Sequence, residues 1–152
     1  MTIKELNMKL RFVEAVITYI LVGVLITAGA NFLSFILAKD VEDLKNTLYA
    51  VFCAFISGVL LSIFKEIKKN QTPFTKSVTK KLETIAILIS CTGLIPELIS
   101  ECVAMLFEQT NKFSFIFDSE TMFIILMGMI VGIISEIFKY GTSVQEDVDS
   151  IA

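Results

Sequence analysis

The sequence contains no histidine and no tryptophan, and only three cysteines and two prolines in 152 residues. Without histidine, both the usual general base near neutral pH and the commonest metal ligand are missing. Cys53, Cys91 and Cys102 stand far apart in apolar segments with no CxxC pair, a pattern of buried packing rather than of metal binding. Cys53 and Cys102 fall toward the same side, which leaves a disulfide between them open. No glycine loop that would cradle a phosphate and no nucleophile elbow is present. These absences set aside dinucleotide-binding and nucleotide-hydrolysing folds and point to a chain without catalysis, cofactor or metal.

Charge is also missing over long stretches. Ala15 to Ala38 runs 24 residues without a charge, and Asn46 to Phe64 runs 19. As a helix at ~1.5 Å per residue, the first would reach ~36 Å, enough for a ~30 Å hydrocarbon core. A third run, from Thr84 to Phe107, is interrupted by Pro96, Glu97 and Glu101; a fourth covers Thr121 to Phe138. With 55% hydrophobic residues and a mean hydropathy of +0.76, a globular surface of this size cannot hide the apolar content. The expected fold is all-α: a single four-helix transmembrane bundle over residues 1–152, with spans near 13–38, 46–64, 84–107 and 121–139. Ala28, Gly29 and Ala30 offer a small-x-small cleavage site, but the apolar run continues through Phe32, Leu33, Phe35, Ile36 and Leu37, so the first segment reads as a span.

Basic residues then set an orientation. Lys4, Lys9 and Arg11 precede the first span, Lys65, Lys68, Lys69, Lys76, Lys80 and Lys81 lie between the second and third, and Lys139 follows the fourth. The other side holds only Lys39, Lys45 and Lys112 among its acids. The positive-inside rule therefore predicts both termini and the 65–83 loop in the cytoplasm. Membrane lipids are the expected partners of the loop lysines, because anionic headgroups attract a juxtamembrane basic segment. The loop lacks interleaved aromatics, so direct nucleic-acid binding is not expected.

Small residues recur at helical spacing. Ala50, Ala54, Gly58 and Ser62 are four apart on the second span, Ala30, Ser34 and Ala38 repeat the pattern on the first, and Gly128 and Gly132 form a GxxxG on the fourth. Such stripes let helix backbones approach closely where lipid supplies no hydrophobic drive for association. Packing within one chain is preferred here over the face of a homo-oligomer. Glu136 lies four residues after Gly132 and four before Tyr140, which predicts that it points into the helix packing as a hydrogen-bonded anchor or into a cytoplasmic vestibule.

Gly93, Glu97, Glu101, Ala104 and Glu108 line one face of the third span. This polar stripe has two readings. In the first, Glu97, Glu101 and Glu108 form an ion or proton site or meet a partner helix. In the second, which is preferred, Pro96 ends or kinks the span and the following residues form an amphipathic helix on the outer surface. The preference rests on the lack of an intramembrane lysine or arginine to pair with these acids.

Thr72, Pro73, Phe74 and Thr75 are predicted to form a turn, and Lys76 to Glu83 to lead helically into the third span. Gly141 is a plausible helix stop before a flexible acidic tail of Glu146, Asp147 and Asp149. The Thr72–Thr75 element, followed by Leu82 and the third span, together with Glu136-Ile137-Phe138-Lys139-Tyr140-Gly141, then Gln145 and acids, resembles the YoaS-like family of small bacterial membrane proteins, a domain of unknown function. The resemblance implies a four-helix protein of a bacterial cytoplasmic (inner) membrane, often encoded beside a small helix-turn-helix regulator, with no established catalytic residues. It motivates a non-catalytic role in binding such a cytoplasmic regulator. The alternatives are a protective immunity protein against a membrane-active peptide and an accessory subunit of a transporter.

Overall fold

The computed structural model describes residues 3–108 and 118–151. The chain there is all-helical, with α1 (Ile3–Ala38), α2 (Val41–Asn70), α3 (Lys76–Glu108) and α4 (Ser119–Ile151). Each helix is long and apolar enough to cross a membrane. Lys112 and the other residues of 109–117 lie outside the described residues, as does the side chain of Glu108.

Local chemistry explains where the helices begin and end. Lys39 adopts a left-handed φ of 56°, and its N–H donates to the Phe35 carbonyl at 2.8 Å, closing α1. Asp40 caps α2 by accepting from the Glu42 N–H at 3.0 Å, and Glu42 and Asp43 in the first turn suit the positive end of the helix dipole. Lys68 and Lys69 occupy its last turn before Gln71, whose φ is 54°. Thr75 caps α3 through the Val78 N–H at 3.2 Å. Asp118 caps α4 through the Thr121 N–H at 2.7 Å, a bond that holds its carboxyl below the usual carboxylate range.

A side chain in the left-handed region costs about 1 kcal/mol that glycine avoids. Gln71→Gly is therefore expected to stabilise the α2–α3 hairpin by roughly 0.5 kcal/mol, read as a higher midpoint in an SDS titration in mixed micelles.

Three boundaries differ from the sequence-based expectation. The 65–83 loop is mostly helix, and only residues 71–75 connect α2 to α3. Pro96 neither ends nor separates a segment, because α3 runs unbroken from Lys76 to Glu108. Its ring is less than 2% exposed, and packed neighbours let a spanning helix tolerate the missing N–H. Gly141 does not stop α4, which continues as helix to Ile151. The hydrogen in place of a side chain there admits the Phe74 ring, since a Cβ on Gly141 would stand 2.8 Å from Phe74 Cε1.

Helix contacts follow chain order: α1 packs on α2, α2 on α3 and α3 on α4, with no other helix pair in contact among the described residues. The bundle is thus an open row rather than a closed ring. Its accessible surface is 10168 Å² for a mass of 16.9 kDa, against roughly 7,700 Å² for a compact soluble monomer of that mass. Much of the excess is apolar: Tyr19, Leu37, Leu106 and Phe123 all stand outward. Lipid is as apolar as leucine, so a bilayer would drive none of these faces together.

What does hold the row is close approach and polar contact. Ile63 of α2 packs with Val78 and Ile85 of α3, and Val131 of α4 reaches the same cluster. On the α3–α4 seam, a Cβ on Gly128 would stand 2.9 Å from the Ser90 nitrogen and 3.0 Å from the Ala86 carbonyl oxygen, and one on Gly132 would be 3.8 Å from Ala86 Cβ. Gly128 and Gly132 therefore seat α4 on α3 within the chain. The buried Ser135 hydroxyl adds a bond to the Thr79 carbonyl at 3.1 Å.

Candidate functional site

The charged side chains gather at the two ends of the row. At the lysine-rich end, all four helices carry on beyond their apolar runs: α1 from Ile3, α2 to Asn70, α3 from Lys76 and α4 to Ile151. The 71–75 turn is docked on the last of these. Phe74 stacks obliquely on Phe138 with ring centroids 5.4 Å apart, and the Thr72 hydroxyl donates to Gln145 Oε1 at 3.4 Å.

The six lysines singled out in the sequence have different surroundings here. Lys68 reaches Glu14 of α1 at 3.4 Å. Lys81 pairs with Glu66 of α2, whose carboxylate also accepts from the Ser77 hydroxyl at 2.8 Å. Lys76 meets Glu146 at 2.9 Å in an exposed pair, which water and salt make weak. Lys65, Lys69 and Lys80 are exposed, and each is free of an ion pair among the described residues.

Between α3 and the end of α4 lies a groove of about 840 Å³. Lys76, Lys80, Lys81 and Lys139 line it, together with the hydroxyls of Ser77, Thr79, Thr84, Thr142 and Ser143. Glu136 does not face the helix packing: its side chain is 69% exposed and pairs with Lys139 at 3.3 Å. The i,i+3 lysine one turn away offers the carboxylate a partner at the surface, which a site inside the packing would not.

The small-residue stripe of α2 serves a different purpose from the glycines of α4. Nothing lies within 4 Å of a Cβ placed on Gly58. Ala54, Gly58 and Ser62 instead floor a second groove of about 640 Å³, walled by Leu25 of α1 and by Val51, Phe55 and Val59 of α2. That groove ends at Lys81 and Thr84 of α3. Ala50, the first residue of the stripe, is half-buried on α2 and lies outside the groove lining.

At the acidic end, Glu97 has a partner, one of the few lysines on that side. Lys45 of α2 forms an ion pair with it, and the Tyr49 hydroxyl donates to the same carboxylate oxygen at 3.3 Å. Glu101 is half-buried, with no ion pair among the described residues. The Ser34 hydroxyl donates to Asp43 at 2.5 Å, linking α1 to α2 at this end. Cys53, Cys91 and Cys102 are separate free thiols. Among the described residues, no group of three or more potential metal ligands converges.

These contacts obey the geometry of antiparallel hairpins, in which residues equidistant from a turn meet. Glu66 stands seven residues before Pro73 and Lys81 seven after Phe74, while Ser34 and Asp43 flank Lys39 at five and four. That spacing was the available signal for Glu66, Ser34 and Asp43. No protein-family model matches the chain, and neither a curated protein nor a solved structure matches it.

Proposed function

We propose that this is a non-catalytic protein of a bacterial cytoplasmic membrane, with both termini and the lysine-rich end in the cytoplasm, that acts by holding a soluble partner there. The observation that carries the reading is the ordered basic platform: α2, α3 and α4 extend past their apolar runs and are tied together by Phe74, Phe138 and Gln145. Lys65, Lys69 and Lys80 remain exposed on it and unengaged by described carboxylates. A rigid array of charges recognises a partner with less ordering cost than a flexible loop.

Membrane insertion draws support from the spacing of the polar contacts. Lys45 and Glu66, which anchor the two ends of the α2–α3 interface, are 21 residues apart, about 31 Å along a helix and close to the thickness of a hydrocarbon core. Glu14 and Ser34 on α1 are 20 residues apart, giving about 30 Å. The resemblance of the Thr72–Thr75 and Glu136–Gly141 elements to the YoaS-like family suggests a small helix-turn-helix regulator as the partner. Transport through Glu97 has less support, because Lys45 already neutralises that carboxylate.

The test is crosslinking in native membranes through surface lysines, followed by mass spectrometry, for the parent chain and a Lys65→Gln, Lys69→Gln, Lys80→Gln variant. Those substitutions break no ion pair given above, so the fold should persist. A small DNA-binding protein captured by the parent and reduced at least tenfold with the variant is the expected result. Equal capture by both, with unchanged expression of the partner's target genes, would remove the platform from the proposal.

A further inference from the structure

The two grooves differ in the charged and hydroxyl side chains that line the first, and they share two residues, Lys81 and Thr84. One side of that junction is a groove lined by four lysines, of which Lys76, Lys81 and Lys139 pair with Glu146, Glu66 and Glu136 while Lys80 is engaged by no described carboxylate. The other is an apolar channel along α2 from Ser62 back to Val51. Eleven residues separate its ends, about 16 Å along the helix, or half the depth of a ~30 Å hydrocarbon core. A site that passes from a lysine-lined head, with Lys80 unengaged, to an apolar channel over one leaflet's depth matches an amphiphile with an anionic head.

We infer that the joined grooves bind one anionic phospholipid, its phosphate beside Lys80 and Lys81 and an acyl chain lying along Ala54, Gly58 and Ser62 between α1 and α3. Lys80 brings a charge that no described carboxylate engages. The Thr84 hydroxyl donates its proton to the Lys80 carbonyl at 2.9 Å, so the lysines and not this hydroxyl supply the phosphate's donors. The open space over Gly58 is what admits a chain: a Cβ there meets nothing within 4 Å, so a larger side chain would extend into the channel and occupy it instead. Basic pockets between spanning helices at the cytoplasmic border are suited to phospholipid headgroups for the same reasons of charge and access. The inference rests on membrane residence and is independent of any soluble partner.

The test uses the full chain, purified in detergent, stripped of lipid and incubated with phosphatidylglycerol or phosphatidylcholine, with retained lipid counted by native mass spectrometry. The parent should retain one phosphatidylglycerol at least tenfold better than phosphatidylcholine. Gly58→Leu, which blocks the channel, and Lys80→Gln with Lys81→Gln, which weakens the head site, should each reduce retention at least fivefold. Lys80→Gln alone, which leaves the Lys81–Glu66 pair intact, should reduce it by a smaller factor, and all variants should keep parental helicity by circular dichroism. Equal retention of the two lipids, or undiminished retention by Gly58→Leu, overturns the inference. So does a dimer of lipid-free parent chains that Gly58→Leu disrupts, because a second copy would then be the occupant.

Discussion

Gly128→Leu is expected to destabilise the chain by about 3 kcal/mol, the upper part of the range for forcing a side chain into filled space. The new atoms would have to displace the α3 backbone at Ala86 and Ser90, which already stands about 3 Å from a Cβ at that position. Backbone of an intact helix cannot yield as the tip of a flexible side chain can. Gly58→Leu is the matched control: the same chemical change, again inside a helix, meets open space. It should be neutral or slightly stabilising in lipid-free detergent, since leucine is the better helix former by somewhat less than ~1 kcal/mol. An SDS titration in mixed micelles, followed by circular dichroism, compares the two. Equal loss in both variants would mean that α3 and α4 are not seated on each other as described.

The second large effect concerns Lys45 and Glu97. Removing one member of a part-buried ion pair leaves the other desolvated and uncompensated, whereas removing both leaves an apolar contact. Lys45→Ala should therefore cost about 2 kcal/mol, less than for a fully buried pair, because the lysine side chain is 32% exposed. Glu97→Leu combined with Lys45→Leu should lie within about 1 kcal/mol of the parent. The same unfolding assay reads both. A neutral Lys45→Ala would reduce the pair to an incidental surface contact and return Glu97 to the list of candidate ion-handling groups.

The helical character of the chain and its four apolar segments were legible in the sequence because both depend on runs of adjacent residues. Uncharged stretches of 24 and 19 residues have few ways to satisfy their backbone other than as helices. Helix ends were less legible. The run 65–83 is rich in lysine, and solvated charge looks like loop whether or not the backbone is helical; the Thr72 and Thr75 hydroxyls and the left-handed Gln71 confine the actual turn to five residues. Gly141 carried the usual mark of a helix stop, and its real use, admitting the Phe74 ring, involves a residue 67 positions away.

The candidate sites divide in the same way. Which lysines crowd one end follows from counting along the chain. That Lys81 is engaged by Glu66 while Lys80 is not, and that Lys45 reaches Glu97, depends on how α2 and α3 are rotated about their axes. The stripes Ala54-Gly58-Ser62 and Gly128-Gly132 look alike as spacing, yet one floors an open groove and the other seats a helix.

By itself, then, the sequence determined the helical class, the four apolar segments and the segregation of charge, because each is a property of one run of adjacent residues. Only the tertiary structure decided the open row, the partner of each charge and the difference between the two small-residue stripes. Those features depend on which faces meet, and in a solvent as apolar as the helices, as lipid would be, hydrophobicity would not select the faces, leaving close fit and a few polar contacts to do so.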